Sequence, residues 1–155
     1  MKNVLKISFI FLNLILLLNC NVASTNSLKQ IDFEFFEMTV PKNWKKIKSQ
    51  GIDSHVGALK MDNNEKIYYD YGYYSNKLID LEKGNDVTYE KIDGLSAKII
   101  SAKNQYKSAT GIYFDSIKFV KNDSMRIRLQ FSGKNLSRTN ESKILESFRT
   151  LKFKN

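Results

Sequence analysis

Residues 87–102 read VTYEKIDGLSAKIISA, and this stretch carries the clearest structural signal in the chain. Two runs rich in apolar and β-branched residues flank the dipeptide Asp93-Gly94. Asp-Gly between such runs is a strong hairpin signal, because glycine tolerates the positive φ that a type I′ turn requires. The sequence therefore predicts two antiparallel strands, 87–92 and 95–102, joined by a two-residue turn.

Further strands are predicted on both sides of this hairpin. Downstream, residues 112–120 and 125–132 flank the polar segment 121–124 in the same manner. Upstream, apolar and polar residues alternate, which is the period of a half-buried strand. The upstream strands are expected at 36–40, 44–47, 55–61 and 67–75. Together the strands predict a meander of antiparallel neighbours.

The C-terminal segment has a helical period instead. Its apolar residues recur at helical spacing with polar residues between them: Ile144, Leu145, Phe148 and Leu151. Ser137 or Thr139 can cap the start of this helix, and residues 151–153 are expected to leave it as a short strand. An amphipathic helix packed on an antiparallel sheet is an α+β architecture.

The N-terminus is typical of a targeting segment. Lys2 and Lys6 precede an apolar run of 12 residues, 7–18. This run is shorter than the roughly 20 residues that a transmembrane helix needs, and it has the length of a signal-peptide core. It ends at Leu17-Leu18-Asn19-Cys20, which resembles the signal of bacterial lipoproteins. The resemblance implies cleavage before Cys20 and lipid attachment to its thiol; the alternative is an ordinary buried cysteine.

The expected organisation has three parts. Residues 1–19 are the lipoprotein signal peptide. Residues 20–31 are the lipidated cysteine and a small, polar, aperiodic tether. Residues 32–155 form a single α+β domain.

Two stretches resemble a known family. Residues 36–44, FEMTVPKNW, resemble the opening strand-Pro-x-x-Trp segment of PsbP-like and DcrB-like domains, and residues 144–153 resemble their closing helix and strand. Residues 51–57 and 69–76 resemble segments of uncharacterised Bacteroidetes lipoproteins. The resemblance implies a PsbP-like α/β sandwich, and it implies no activity because members of this fold bind different partners.

Several kinds of chemistry are disfavoured by composition. One cysteine and one histidine exclude an intramolecular disulfide framework and the usual zinc sites. The seven glycines are scattered singly and build no phosphate-binding loop. The sequence therefore predicts no cofactor and no metal.

Asp53-Ser54-His55 contains the residue types of a hydrolase triad. Consecutive residues in an extended segment point alternately to opposite faces, so Ser54 diverges from both neighbours. We therefore expect a turn with local hydrogen bonds rather than a catalytic site. No catalytic residue is predicted.

The tyrosine-rich run IYYDYGYYS, residues 67–75, is the most distinctive feature. In a strand its two faces are both amphipathic, and the commoner role of such residues is to pack on the core. The alternative is a shallow groove for a sugar, peptide or protein, with Asp70 as its polar group and Tyr68 and Tyr74 as its walls. Asp53 is the fourth candidate residue of this groove.

The positive charge of the chain is concentrated near its C-terminus. The net charge of +9 falls to +7 when Lys2 and Lys6 leave with the signal, and this excess lies within residues 104–155. Arg126, Arg128 and Lys118 are candidates for a basic patch that binds anionic lipid or an acidic partner. The competing interpretation is an ordinary solvated sheet face.

These features predict a lipid-anchored binding or accessory protein of the cell envelope, on its periplasmic or cell-surface side. The expected partners are the membrane, through Cys20, and an envelope protein, peptide or sugar; nucleic acid is not expected. The rival hypothesis is a carboxylate-dependent hydrolase or glycan-processing accessory that uses Asp53 and Asp70.

Overall fold

Antiparallel strands make up most of the folded chain. The computed structural model describes residues 27–104, 108–119 and 126–154. The strands and the α-helix in these ranges are β1 (Leu28–Asp32), β2 (Phe36–Pro41), β3 (Lys45–Lys48), β4 (Ser54–Lys60), β5 (Lys66–Gly72), β6 (Asn85–Ile92), β7 (Leu95–Ala102), β8 (Ala109–Phe119), β9 (Arg126–Lys134), α1 (Arg138–Phe148) and β10 (Lys152–Phe153), and short 3-10 helices form at Asp62–Asn64 and Ile79–Leu81. This confirms the α+β class.

The strands form two sheets. The larger has seven strands in the order β3-β4-β5-β9-β8-β7-β6, and the smaller has three in the order β1-β2-β10. The expected single meander is therefore two meanders, β3–β5 and β6–β9, joined by the antiparallel pairing of β5 with β9. Residues 73–84, which we call the crossing segment, carry the chain from β5 to the far edge of the sheet.

Local predictions agree closely with the structure. Ile92 pairs with Leu95 across the Asp93-Gly94 turn, and φ is +50° at Asp93 and +80° at Gly94. These positive angles are those of a type I′ turn. The β8–β9 pairing is also confirmed, although the turn between these strands lies outside the described residues.

The hydrophobic core lies between the inner face of the large sheet and a second layer formed by the small sheet and α1. Phe36 of β2 packs edge-to-face on Tyr69 of β5 and Phe131 of β9, with ring centroids 6.2 and 5.8 Å apart. Phe148 of α1 approaches the same Phe131 ring at 5.6 Å. All three phenylalanines are fully buried, and truncating such a side chain typically costs about 3–5 kcal/mol.

Strand β1 differs from the predicted organisation. It begins at Leu28, so Leu28–Ile31 belong to a strand rather than to the tether. Of the five residues of β1 only Ile31 is buried, so the alternation that marks a strand is weak. The strand is formed instead by its antiparallel backbone pairing with β2. The predicted signal peptide and Cys20 lie outside the described residues.

Glu65 fixes the start of α1. Its carboxylate accepts hydrogen bonds from the Ser137 backbone N–H at 3.0 Å and from the Asn140 side-chain amide at 2.9 Å. The Ser137 hydroxyl in turn accepts from the Asn140 backbone N–H, which is the N-cap contact. Ser137, one of the two predicted residues, is therefore the cap, and the helix is tied to the end of the large sheet.

We expect Glu65→Ala to lower the free energy of unfolding by about 1–3 kcal/mol, because it leaves donors at the helix start without their acceptor. Urea denaturation measures this change. The matched control is Glu146→Ala on the exposed side of α1, which should cost less than about 0.5 kcal/mol. Equal effects of the two substitutions would contradict the role given to Glu65.

Candidate functional site

The outer face of the large sheet carries the candidate site. One face of this sheet is buried in the core, so the alternate residues of each strand point away from it. The crossing segment covers part of this outer face, because Leu78 packs with Ile100 of β7 and Tyr113 of β8. Gly111 of β8 makes room: a Cβ there would lie 3.0 Å from the Leu78 side chain and 2.6 Å from a backbone oxygen.

A groove of about 800 Å³ remains between the crossing segment and strands β5 and β9. We call it the outer-face groove. Tyr68 of β5 and Gln130 and Ser132 of β9 line it on the sheet side. Asn76 and Asp80 of the crossing segment line the opposite side. A cavity of this volume is in the range of small-molecule sites.

Of the four residues predicted for the groove, Tyr68 is the one that lines it in the structure. Its neighbours Ile67 and Tyr69 turn inward and are buried, so alternation sends Tyr68 outward. Its side chain is 56% exposed, which leaves ring surface for a ligand.

Gln130 is the residue that the sequence analysis missed. It is only 9% exposed, yet its side-chain oxygen has no hydrogen-bond partner in the described parts of the chain. A buried acceptor without a donor is costly, typically about 1–3 kcal/mol. A buried acceptor of this kind calls for an explanation, and a ligand that reaches Gln130 through the groove and donates to this oxygen would supply one.

Asp70 adjoins this position. The β5–β9 register sets Asp70 directly opposite Gln130 on the outer face, where facing Cβ atoms are about 5 Å apart. One carboxylate oxygen of Asp70 is also buried without a hydrogen-bond partner among the described residues. Two neighbouring acceptors therefore lack donors among the described residues, but Asp70, the predicted polar group of the groove, is not among the side chains that line it.

Tyr74 does not form the second wall that was predicted. Strand β5 ends at Gly72 instead of continuing to residue 75. The Ser75 hydroxyl donates to the backbone oxygens of Asp70 and Gly72, at 2.9 and 3.3 Å, and this turns the chain. Tyr74 is left 71% exposed and outside the groove.

Asp53 lies in a different depression. It is exposed in the loop before β4, where Lys48, Gly51 and Ile52 also line the surface. The structure therefore does not bring Asp53 and Asp70 into one cavity of the described chain. His55 contacts Glu34 at 3.6 Å and packs on the Phe35 ring at 4.4 Å.

The predicted basic patch contains a shared carboxylate. Arg126 and Arg128 lie 3.2 and 3.5 Å from the two oxygens of Asp115 on the adjacent strand β8. Arg128 also donates to the backbone oxygen of Tyr73 at 2.6 Å. The β8–β9 register shifts between Phe114 and Lys118, and Lys118 stands opposite Ile127.

Tyr113 completes the Asp115 cluster. Its hydroxyl donates to Asp115 at 2.7 Å. This hydrogen bond, together with the charges of Arg128 and Arg126, lowers the pKa of Asp115. Burial, and the same hydrogen bond, raise the pKa of Tyr113 well above its usual value.

Comparisons with known proteins give no neighbour: no protein-family model, curated protein or solved structure matches this chain. Across the described ranges, no three His, Cys, Asp or Glu side chains are grouped to hold a metal ion. Nor does any helix in these ranges have the length and hydrophobicity to cross a membrane.

The Asp115 cluster predicts a pH-dependent contribution to stability. A carboxyl whose pKa is lowered by folding stabilises the protein above its unfolded pKa, near 3.8 here, and loses this contribution as pH falls through the folded value. The difference in unfolding free energy between the wild type and Asp115→Asn should therefore narrow from about pH 6 to about pH 2. Because Asp115 is half exposed, we expect its pH-dependent contribution to the unfolding free energy to be less than about 1 kcal/mol.

Urea denaturation across this pH range measures the difference. Tyr113→Phe removes the largest cause of the lowered pKa, so it should reduce the pH-dependence that Asp115 contributes. A difference between wild type and Asp115→Asn that is constant with pH would contradict this interpretation.

Proposed function

We propose that this chain is a lipid-anchored binding protein of the bacterial cell envelope, and that the outer-face groove is its ligand site. The observation that carries the site is Gln130, which lies in the groove lining and whose buried side-chain oxygen has no hydrogen-bond partner among the described residues. The anchor rests on the signal-like segment before Cys20, the single cysteine of the chain.

We also propose that the domain is a PsbP-like sandwich. The two stretches that carry the resemblance, residues 36–44 and 144–153, are far apart in sequence but adjacent in space. Strand β10 pairs with β2, with Phe153 opposite Phe36. Trp44 of the Pro-x-x-Trp segment is fully buried. Both facts support a common structural role for the two stretches.

A glycan is the ligand class that the groove fits best. Sugar hydroxyls supply hydrogen-bond donors, and the groove offers the unpaired acceptor of Gln130 together with the polar side chains of Ser132 and Asn76. The exposed face of Tyr68 offers an apolar surface on which a sugar ring can stack. An extended peptide is the competing ligand.

A hydrolase is the less favoured function. Acid–base hydrolysis of a glycosidic bond uses two carboxyl groups that flank one site. Asp70 adjoins the groove, whereas Asp53 lines a separate depression. The described residues thus favour binding over catalysis.

Binding in the groove is tested with neutral oligosaccharides, namely hexamers of N-acetylglucosamine, glucose and mannose, and with an unrelated extended peptide. When a sugar that binds is added, the NMR chemical shifts of Tyr68, Gln130 and Ser132 should change. Tyr68→Ala should weaken binding by at least about fivefold, which corresponds to the loss of roughly 1 kcal/mol.

The matched control is Tyr89→Ala. Tyr89 lies on β6 at the far edge of the same outer face and is 70% exposed. This substitution should leave binding unchanged. NMR shift changes confined to other surfaces, or equal losses of sugar affinity in the Tyr68 and Tyr89 variants, would contradict the assignment of the groove. Binding of the peptide alone would contradict the choice of a glycan.

The lipid anchor is tested by metabolic labelling with a radiolabelled fatty acid in a bacterial host. The wild-type chain should take up label and sediment with membranes. Cys20→Ser should take up none, because it lacks the thiol that receives the lipid. Continued labelling of this variant would refute the anchor.

A further inference from the structure

Four lysines stand side by side at one end of the outer face. Lys45 of β3 pairs with Lys60 of β4, and Lys60 pairs with Lys66 of β5. The β5–β9 register, continued two residues beyond Tyr68 and Ser132, sets Lys134 next to Lys66. We call these four residues the lysine row. Neighbouring strands are about 4.8 Å apart, so the row spans about 15 Å.

No carboxylate in the described part of the chain forms an ion pair with the lysine row. None of its four ammonium groups has a carboxylate oxygen within 4.0 Å there, whereas Lys98, Lys143, Lys152 and Lys154 each have one. Two carboxylates near the row have other partners. The Asp62 carboxylate accepts hydrogen bonds from Asn43 and Lys143. The Glu65 carboxylate accepts hydrogen bonds from Ser137 and Asn140.

Like charges directly opposite each other destabilise a sheet. The fold therefore gains nothing from this arrangement, and its charge is presented to the outside. An anionic surface would relieve the repulsion.

The chain enters the domain at this same end. Leu28, the first residue of β1, pairs with Pro41, the last residue of β2. The Lys42 backbone N–H donates to the Ser27 oxygen at 2.8 Å, and the Pro41–Trp44 turn leads directly into Lys45. The tether from Cys20 thus reaches the domain beside the lysine row.

The tether is short. Cys20 precedes Ser27 by seven residues, and an extended chain spans at most about 3.6 Å per residue. A lipid at Cys20 therefore holds this end of the domain within about 25 Å of the membrane surface. A lysine that contacts an anionic membrane surface strengthens binding by about fivefold.

We propose that the lysine row is a docking surface for the anionic phospholipid headgroups of the membrane that holds the anchor. The orientation follows from the proposed lipid anchor, but the affinity of the row for anionic lipid does not need it. The row sets which end of the domain faces the membrane.

The affinity is tested without the lipid, on the chain from residue 20 onward with Cys20→Ser. The buried core of the described structure lies between Ile31 and Leu151, so loss of residues 1–19 leaves it whole. Sedimentation with phosphatidylglycerol-containing vesicles, compared with pure phosphatidylcholine vesicles, should show binding to the anionic vesicles alone, and added salt should weaken it.

Lys45→Gln with Lys60→Gln should weaken this binding by about 25-fold. Unlike Lys66 and Lys134, which also line the outer-face groove, these two lysines lie outside its lining, so their removal does not affect the sugar-binding test. The matched control is Lys83→Gln with Lys91→Gln, two exposed lysines before and within β6. This pair removes the same charge and should leave vesicle binding nearly unchanged.

Thermal melting should show no loss of stability in the Lys45/Lys60 variant, since repulsion is removed. Equal weakening by the two pairs would show that net charge, not the lysine row, drives binding. If the protein does not bind the anionic vesicles, the proposed docking surface is refuted. The lipid anchor and the sugar site would still be decided separately, by the labelling of Cys20 and by the sugar-binding test.

Discussion

The packing of β2 against the inner face of the seven-stranded sheet is the interaction on which the rest of the structure depends. Phe36 packs on both Tyr69 of β5 and Phe131 of β9, which face each other across the strand pair. Once these rings are buried, the two-residue period of a strand requires the adjacent residues of β5 and β9 to point to the opposite face of the sheet. Tyr68, and Gln130 beside Phe131, must then lie on the outer face. The aromatic core thus determines which side chains are available to a ligand, even though Phe36, Tyr69 and Phe131 do not line the groove themselves.

The groove itself is created by the path of the chain between two meanders. A tight turn after β5 would have continued the meander and left a flat, open sheet. Instead, Ser75 ends β5 by hydrogen bonding to its last carbonyls, and Leu78 docks into the small apolar cluster on the outer face. The crossing segment then stands beside β5 and β9 and encloses space above Gln130. The oxygens of Gln130 and Asp70 that find no hydrogen-bond partner within residues 27–104, 108–119 and 126–154 are the cost of this arrangement, and a ligand that donates hydrogen bonds to them would remove it.

Charge on the surface is distributed differently from charge in the sequence. The C-terminal third carries the net excess, but three of its four arginines are engaged by carboxylates: Arg126 and Arg128 share Asp115, and Arg149 pairs with Glu90. The unpaired lysines of the lysine row come mainly from the part of the sequence whose net charge is zero. Counting charges along the chain therefore does not locate the basic surface, because ion pairing and strand register decide which charges remain uncompensated.

The sequence alone determined the features whose physical cause is local. The Asp93-Gly94 hairpin, the Ser137 cap and the period of each strand and helix arise from contacts between residues close in the chain, so pattern and propensity suffice to predict them. Only the tertiary structure decided the β5–β9 pairing, which joins residues more than fifty positions apart, sets Gln130 beside Asp70 and adds Lys134 to the lysine row. Strand β1 also needed its partner, since its own residues are too polar to signal a strand. Long-range pairing depends on which apolar faces bury each other best, and that choice is made by the whole core rather than by any one segment.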